Sequence, residues 1–383
     1  MILKHTPEIS FTNEATRNEV MANAYFLRAY CYFTLVRVFG DCPLLTSGFE
    51  SEKQEDMYPS RTAASEVYAQ VETDIEEALR LMPASSKLLH KASPAAINML
   101  RTEYYLWKAK RLGGGNAALS TAQSSVDAVL KAGYALLPTF ADIFNLNNEA
   151  NSELIWTLPY IVNENVTPGT SPNFFAYYLA PNGDRTRLRE AGYTEDEVPA
   201  GSHAQYVVPT QAYCDFLAED ARDTRTDVSV RVFEDKFLTE EVQIKRMVVK
   251  FKGSFANDTR SFDSDVPVYR LAEAYLLKAE VENALGNTDA ALQNLNVVAK
   301  RAYGVDNYYT ARTQDAIDNA IISEILKEFV AESKAWWAYL RFNKEFELET
   351  LKGREGEKNV TLWPIAPACL NTNPNITQTE GYK

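Results

Sequence analysis

The sequence predicts a mainly α chain: a superhelix of paired helices with one large irregular insertion carrying a few short strands. Three observations predict it. Several long stretches repeat apolar residues at helical spacing on two faces at once, and a helix apolar on two sides needs neighbours on two sides. Two of the helix pairs are joined by a Gly-Asn turn, at Gly115-Asn116 and Gly286-Asn287. There glycine supplies the left-handed stop and asparagine tolerates the turn. Between Asn145 and Phe262 the periodicity fails, broken by glycines and by Pro159, Pro168, Pro172, Pro181, Pro199 and Pro209.

The elements follow in order. From Asn13 to Phe39, Val20, Ala24, Leu27, Cys31, Leu35 and Val38 form one stripe. Ala22, Phe26, Ala29, Phe33 and Val36 form a second, so this helix is expected to be buried on both sides, with Gly40 and Pro43 ending it. The next helix has Val67, Val71, Ile75 and Leu79 inward, Ser60 or Thr62 as its cap, and a stop at Met82-Pro83. Ser93 caps a helix whose first position is Pro94 and which runs to about Leu112. Gly113-Gly114-Gly115-Asn116 is a turn. No strand precedes it and no Gly-Lys-Ser/Thr follows, so it is not a phosphate loop. Ala117 to Lys131 forms the partner helix. Within the insertion, Val207 to Ala218 and Thr239 to Lys252 read as ordered, the latter as a candidate strand.

Helical pairing resumes at Asp263. Ala272, Tyr275, Leu276 and Ala279 make one face and Ala274, Leu277, Val281 and Leu285 another; after the turn, Ala291, Leu295, Val298 and Ala302 make a third stripe. The spacing of Ala279, Gly286, Ala291 and Leu295 resembles a tetratricopeptide unit, with Lys278 where that unit prefers an apolar residue. The same turn-to-Ala-Leu pattern recurs at Ala118-Leu119, which supports a repeat of helical pairs. A further helix is expected from Thr313 through Arg341, then an irregular tail after Gly353.

Composition narrows the function. The chain has 383 residues, 46% hydrophobic and 24% charged, as a globular protein does. Acidic residues outnumber basic ones 52 to 39, a net charge of −13, which argues against nucleic-acid binding. Four cysteines (Cys31, Cys42, Cys214, Cys369) without CxxC spacing, and three isolated histidines, give no metal-site pattern. The cysteines read as buried free thiols. No segment approaches the apolar length that crosses a bilayer. No GxSxG, HExxH or Walker motif appears, so no catalytic residue and no cofactor is expected.

Four blocks carry a family resemblance. They are AYFLRAYCYFTLVRVFGDCPLLT (Ala24–Thr46); Ser93 to Tyr160, with Gly133-Tyr134-Ala135-Leu136 and Asn151 to Trp156; Asp265 to Glu280; and Leu362-Trp363-Pro364-Ile365 with Asn373, Asn375, Gln378, Gly381 and Tyr382. In this order they resemble the SusD/RagB-type nutrient-binding outer-membrane lipoproteins of Bacteroidetes. The family's E-G-x-R-W-x-D run stands here as Glu332 to Ala338, with Ala335 and Ala338 in place of its Arg and Asp. The resemblance implies one SusD-like domain over 1–383. Its parts would be a helical-pair scaffold at 14–144 and 263–342, an insertion at 145–262 and a C-terminal tail at 343–383. It implies non-catalytic capture of oligosaccharides on the extracellular face of the outer membrane and delivery to a SusC-like TonB-dependent transporter. It also implies an N-terminal truncation, with the signal peptide and lipid-bearing cysteine, the sole tie to the membrane, outside this chain.

Sugar binding needs flat aromatic faces beside planar hydrogen-bonding side chains. The insertion offers Phe175, Tyr177 and Tyr178 near Asn182, Asp184 and Arg187, with Tyr193 and Tyr206 beyond. These are the candidate ligand residues. Trp156 and Trp363 read as packing residues, and at most one of Trp336 and Trp337 faces the core. The alternatives are peptide capture by the same device and a tetratricopeptide-like interaction scaffold. A carboxylate clamp of the adaptor kind is disfavoured, because Leu276 and Glu280 stand at the matching positions.

Overall fold

The computed structural model describes residues 1–50, 57–161, 177–178, 186–201, 207–235, 241–261 and 263–382. Its fold is mainly α, with helical pairs and a few two-stranded sheets.

A short α1 (Ile2–His5) precedes α2 (Glu14–Phe39), whose first turn is capped by Asn13 accepting from the Ala15 amide at 2.9 Å. Gly40, at φ 69°, ends it. Ala22, Phe26, Ala29, Phe33 and Val36 are buried against α3 (Ala64–Leu81). The other stripe of α2 is not buried: Val20, Leu27, Cys31 and Leu35 are exposed. Two-sided burial of this helix is therefore corrected: of its two predicted stripes, the one with Phe26 and Phe33 is buried and the other is exposed or half-buried. The cap of α3 is corrected too. Neither Ser60 nor Thr62 provides it; Asp41, from the loop after α2, accepts from the Ala64 amide at 2.8 Å. Ser93 caps α4 (Pro94–Arg111) through the Ala96 amide at 3.1 Å, with Pro94 in the first turn. Helix α5 (Gly115–Leu130) packs back on α4.

The strand β1 (Leu154–Leu158) follows, then β2 (Tyr177–Tyr178), α6 (Thr186–Glu190), β3 (Ala200–Gly201), α7 (Gln211–Leu217) and α8 (Thr226–Ser229). β4 (Val230–Asp235) pairs antiparallel with β5 (Gln243–Val248), from Val230↔Val248 to Asp235↔Gln243. β5 lies inside the candidate strand at Thr239–Lys252; β4 is an addition. β6 (Ser254–Ala256) and β7 (Thr259–Ser261) form a tight hairpin. β8 (Val266–Arg270) returns to pair antiparallel with β1, with register shifts around Trp156.

α9 (Leu271–Ala284) is buried on both predicted faces, through Ala272, Leu276 and Ala279 and through Ala274, Leu277 and Val281. Gly286, at φ 81°, turns the chain into α10 (Thr288–Tyr303), which packs on α9 through Ala291, Leu295, Val298 and Ala302. α11 (Gln314–Glu328) then packs on α9. The expected helix from Thr313 to Arg341 is in fact two. α11 ends at Glu328, Ala331 and Ser333 take positive φ (61° and 60°), and α12 (Ala335–Arg341) starts afresh. Lys250 Nζ donates to the carbonyls of Glu328 (2.8 Å) and Val330 (3.3 Å), and Arg270 Nη2 to that of Glu328 (2.7 Å). Those carbonyls are thereby satisfied without another helical turn. The tail contains α13 (Pro367–Thr372) and is held by side-chain amides. Gln378 exchanges two hydrogen bonds with the backbone of Ile365 (2.7 and 3.0 Å).

By packing the chain divides into two compact units. Residues 1–132 and 336–383 form one. In it Arg37 lies between the rings of Phe33 (3.7 Å) and Trp337 (4.1 Å), and Trp337 meets Trp107 edge-on. Trp156 is buried as expected, but Trp363 is 60% exposed, so its packing role is corrected: its amide donates to Val38 O at 2.8 Å while its ring faces outward. Cys42 and Cys214 are buried; Cys31 and Cys369 are exposed, against the expectation for all four. Residues 133–335 form the second unit, which contains the insertion.

Candidate functional site

Within the insertion a small apolar core forms around β4 and β5. Along β4, Phe233 and Asp235 are buried on one face and Glu234 is exposed on the other, while Val232 is exposed and Val230 is buried in a separate cluster with Cys214, Leu217, Val248 and Val330. Phe233 and Met247 join Leu188 of α6, Val198 and Val249 in one buried cluster. The residues between α6 and β3 are held by a reciprocal cap. The Thr194 amide donates to Glu197 Oε2 (2.8 Å), and the Glu197 amide to Thr194 Oγ1 (3.3 Å). Asn257 and Asp258, at φ 50° and 57°, make the mirror-image turn of the β6–β7 hairpin. Asp258 at its tip is ion-paired with Arg189 of α6. Arg260 closes the arrangement by donating to the carbonyls of Lys252 (2.8 Å), Gly253 (3.2 Å) and Glu195 (2.6 Å).

This core positions part of the predicted ligand set. Tyr177 and Tyr178 run parallel to Ala200 and Gly201 as β2 and β3, so the backbone on either side of α6 is drawn together. Arg187 lies in α6, next to the buried Leu188. Tyr193 is partly buried, its ring edge-on to Phe233 at 6.0 Å. Phe175, Asn182, Asp184 and Tyr206 lie outside the described residues.

The strongest electrostatic feature of this unit was not singled out from sequence. It is a buried ionic cluster. Arg225 grips Asp223 with two bonds of 2.8 Å and reaches Glu324 (2.7 Å), Glu328 (3.1 Å) and the Tyr303 hydroxyl (3.0 Å). Arg270 meets Glu332 (2.9 and 3.1 Å), Glu328 (2.5 Å) and Glu153 (3.2 Å). Arg301 pairs with Glu153 (2.9 Å) and with Glu328. Lys250 is paired with Glu332 at 2.5 Å. Burial by itself would raise the Glu328 carboxyl, but the guanidiniums of Arg301, Arg270 and Arg225 outweigh it and hold that carboxyl well below the usual range. Burial pushes Lys250 down to about 8, with the Glu332 carboxylate opposing. A legible sign existed: Glu324, Glu328 and Glu332 recur every four residues, which would place three acids on one helix face. The cluster's charges face one another. It joins the loop before α8 and the chain after β5 to α10 and α11, a fastening rather than a reaction centre.

A small depression, with room for about one water molecule, is lined by Ile143, Phe144, Glu149, Leu154, Phe251, Ser264, Asp265 and Pro267. Both of its carboxylates hold backbone: Glu149 accepts from the Asp265 amide (3.0 Å), and Asp265 from the Tyr160 amide (3.0 Å) and the Thr157 hydroxyl (3.2 Å). Among the described residues no group of three or more His, Cys, Asp or Glu could hold a metal ion, and no helix is long and apolar enough to cross a membrane.

Comparison with known proteins agrees with this architecture. Residues 3–105 match the family model described as "Starch-binding associating with outer membrane", and residues 233–360 match the SusD family model. SusD-like protein P38 of Formosa agariphila is 26% identical over 411 residues, covering all of this chain and 77% of that protein. The starch-binding protein SusD of Bacteroides thetaiotaomicron is 22% identical over 415 residues, covering 94% of this chain and 72% of that protein. A solved SusD superfamily protein from Bacteroides vulgatus superposes with a TM-score of 0.82 at 26% identity, covering all of this chain and 83% of its own.

Proposed function

The chain belongs to the SusD family, and on that premise we propose that it captures oligosaccharides at the outer face of the outer membrane without cleaving them. It then passes them to a SusC-like TonB-dependent transporter, and a lipid anchor ties it to the membrane. The observation that carries the reading is the likeness to SusD superfamily structures along the entire chain, at a TM-score of 0.82. Two further points support it. The match described as starch-binding covers α2, α3 and most of α4, and a relative named for starch binding aligns with 94% of the chain.

In this reading the ligand meets the region organised by β2, β3 and α6. Tyr177, Tyr178, Phe175 and Tyr206 would supply ring faces for sugar C–H groups, and Asn182, Asp184 and Arg187 would hydrogen-bond the hydroxyls. Tyr193 would support the site from beneath, since its ring already packs on Phe233.

Titration calorimetry with soluble starch, other glucans and a peptide library in parallel tests this. Saturable glucan binding is expected. The double variant Tyr177→Ala/Tyr178→Ala should weaken it by about tenfold or more, because stacked rings contribute on the order of 1 kcal/mol each. Saturable binding to peptides alone selects peptide capture instead. Binding to neither selects the scaffold role.

A further inference from the structure

The β6–β7 hairpin is fixed at both ends, and its two fastenings lead in different directions. At its root, Asp263 accepts from the Ser254 amide (2.6 Å) and the Ser254 hydroxyl (2.8 Å), and Ser264 accepts from the Gly253 amide (3.1 Å). Those acceptors stand just before β8, which pairs with β1. At its tip, Asp258 is ion-paired with Arg189 of α6. Arg260 spans root and surroundings. Its Nη1 donates to the carbonyls of Lys252 and Gly253 at the root, and its Nη2 to that of Glu195, 65 residues earlier in the chain. The side chain is buried, with its guanidinium 5.3 Å from the centre of the Phe255 ring. An arginine that only filled its own hairpin has no need of so distant a carbonyl.

Glu195 belongs to the segment that leads to the candidate ligand residues. Two residues before it, Tyr193 packs edge-on to Phe233. The Thr194–Glu197 cap encloses it, and Val198, whose amide donates to the Thr194 carbonyl (3.2 Å), is fully buried. Two residues further on, Ala200 and Gly201 pair with Tyr177 and Tyr178. A shift at Glu195 is therefore carried into the backbone of both ligand-bearing segments.

We propose that the β6–β7 hairpin is a strut that sets the ligand-facing segment in place, and that Arg260 is its positioning residue. The role rests on the reading that this segment meets a glycan. Exposure decides between the strut's two contacts. The Arg189–Asp258 pair lies in water on both sides, where such pairs contribute little. Arg260 makes three charge-assisted bonds away from water, in a fork geometry that lysine lacks. A segment already held in its binding geometry need not be ordered by the ligand, so the hold is read out as affinity.

Calorimetry with the glucan that wild type binds, beside hydrogen exchange of the free protein, tests the strut. The Tyr193 and Val198 amides are hydrogen-bonded to the Leu188 and Thr194 carbonyls. Arg260→Gln should speed their exchange by about tenfold or more and leave the amides of α9 and α10 unchanged. It should also weaken glucan binding by about tenfold, with the stoichiometry kept and a less favourable binding entropy, since the ligand must then order the segment itself. A merely destabilised protein would lose stoichiometry instead, at wild-type affinity. Arg260→Lys keeps the charge and can serve the root carbonyls but not Glu195 as well. It should keep the urea midpoint of wild type and bind as weakly as Arg260→Gln. Asp258→Asn should change affinity by less than about threefold. Wild-type affinity in Arg260→Gln, unchanged exchange at Tyr193 and Val198, or full rescue of binding by Arg260→Lys overturns the proposal. A wild type that binds no glucan fails the reading beneath it, and the exchange result then still decides whether Arg260 holds the segment.

Discussion

Glu328 is the residue on which the second unit's electrostatics turn. It faces three arginines in a site from which water is excluded. Removing its charge leaves those guanidiniums with less compensation, and breaking buried pairs of this kind costs about 3–5 kcal/mol. Glu328→Gln should lower unfolding stability by about that much in urea titration; a loss under about 1 kcal/mol would mean the cluster is dispensable. Lys250 gives a pH signature of definite sign. Its folded value, about 8, lies below its ordinary 10.5. Between those values the unfolded chain binds more protons than the folded one, so stability rises with pH across that window. Wild type should gain on the order of 1 kcal/mol between about pH 8 and about pH 9.5, and Lys250→Met, which lacks the titrating group, should show a flatter profile. The groups facing Lys250 are Glu332, the carbonyls of Glu328 and Val330, Arg270, and the rings of Phe140 and Phe144.

At the scale of elements, caps and turns are local and were readable. Ser93 and Gly286 act where the sequence placed them, because each satisfies or turns backbone within a few residues of itself. Gly286→Ala should cost about 1 kcal/mol, since alanine pays for a φ of 81° in strain even though its Cβ would meet nothing within 4 Å. A melting temperature unchanged by that substitution would count against the αL turn. Ser93→Ala should lose about 1 kcal/mol through the freed Ala96 amide. The elements that were misjudged depend on distant partners. α3 is capped by Asp41, 23 residues away, and α11 stops where Lys250 and Arg270 take its terminal carbonyls. β4 escaped notice because Val230, Arg231, Val232, Phe233 and Glu234 do not alternate cleanly; its pairing with β5 creates the strand.

For the whole molecule, the sequence by itself determined the mainly α architecture, the hairpin of α9 and α10 and the family. The first two rest on periodicity, small-residue contacts and turn chemistry, which are short-range properties of the chain; the family rests on the resemblance of four sequence blocks kept in order. It also marked Tyr177, Tyr178 and Arg187 as a candidate site, and of these the structure places the backbone, on β2 and α6. Only the tertiary structure decided which apolar stripe of α2 is covered, that Trp363 faces outward, and that acids and bases far apart in sequence form one buried cluster. An apolar stripe carries the same pattern whether or not a neighbour covers it. A glutamate reads as a surface residue until the fold brings arginines to it, because desolvation and Coulomb attraction depend on distance in space and not along the chain.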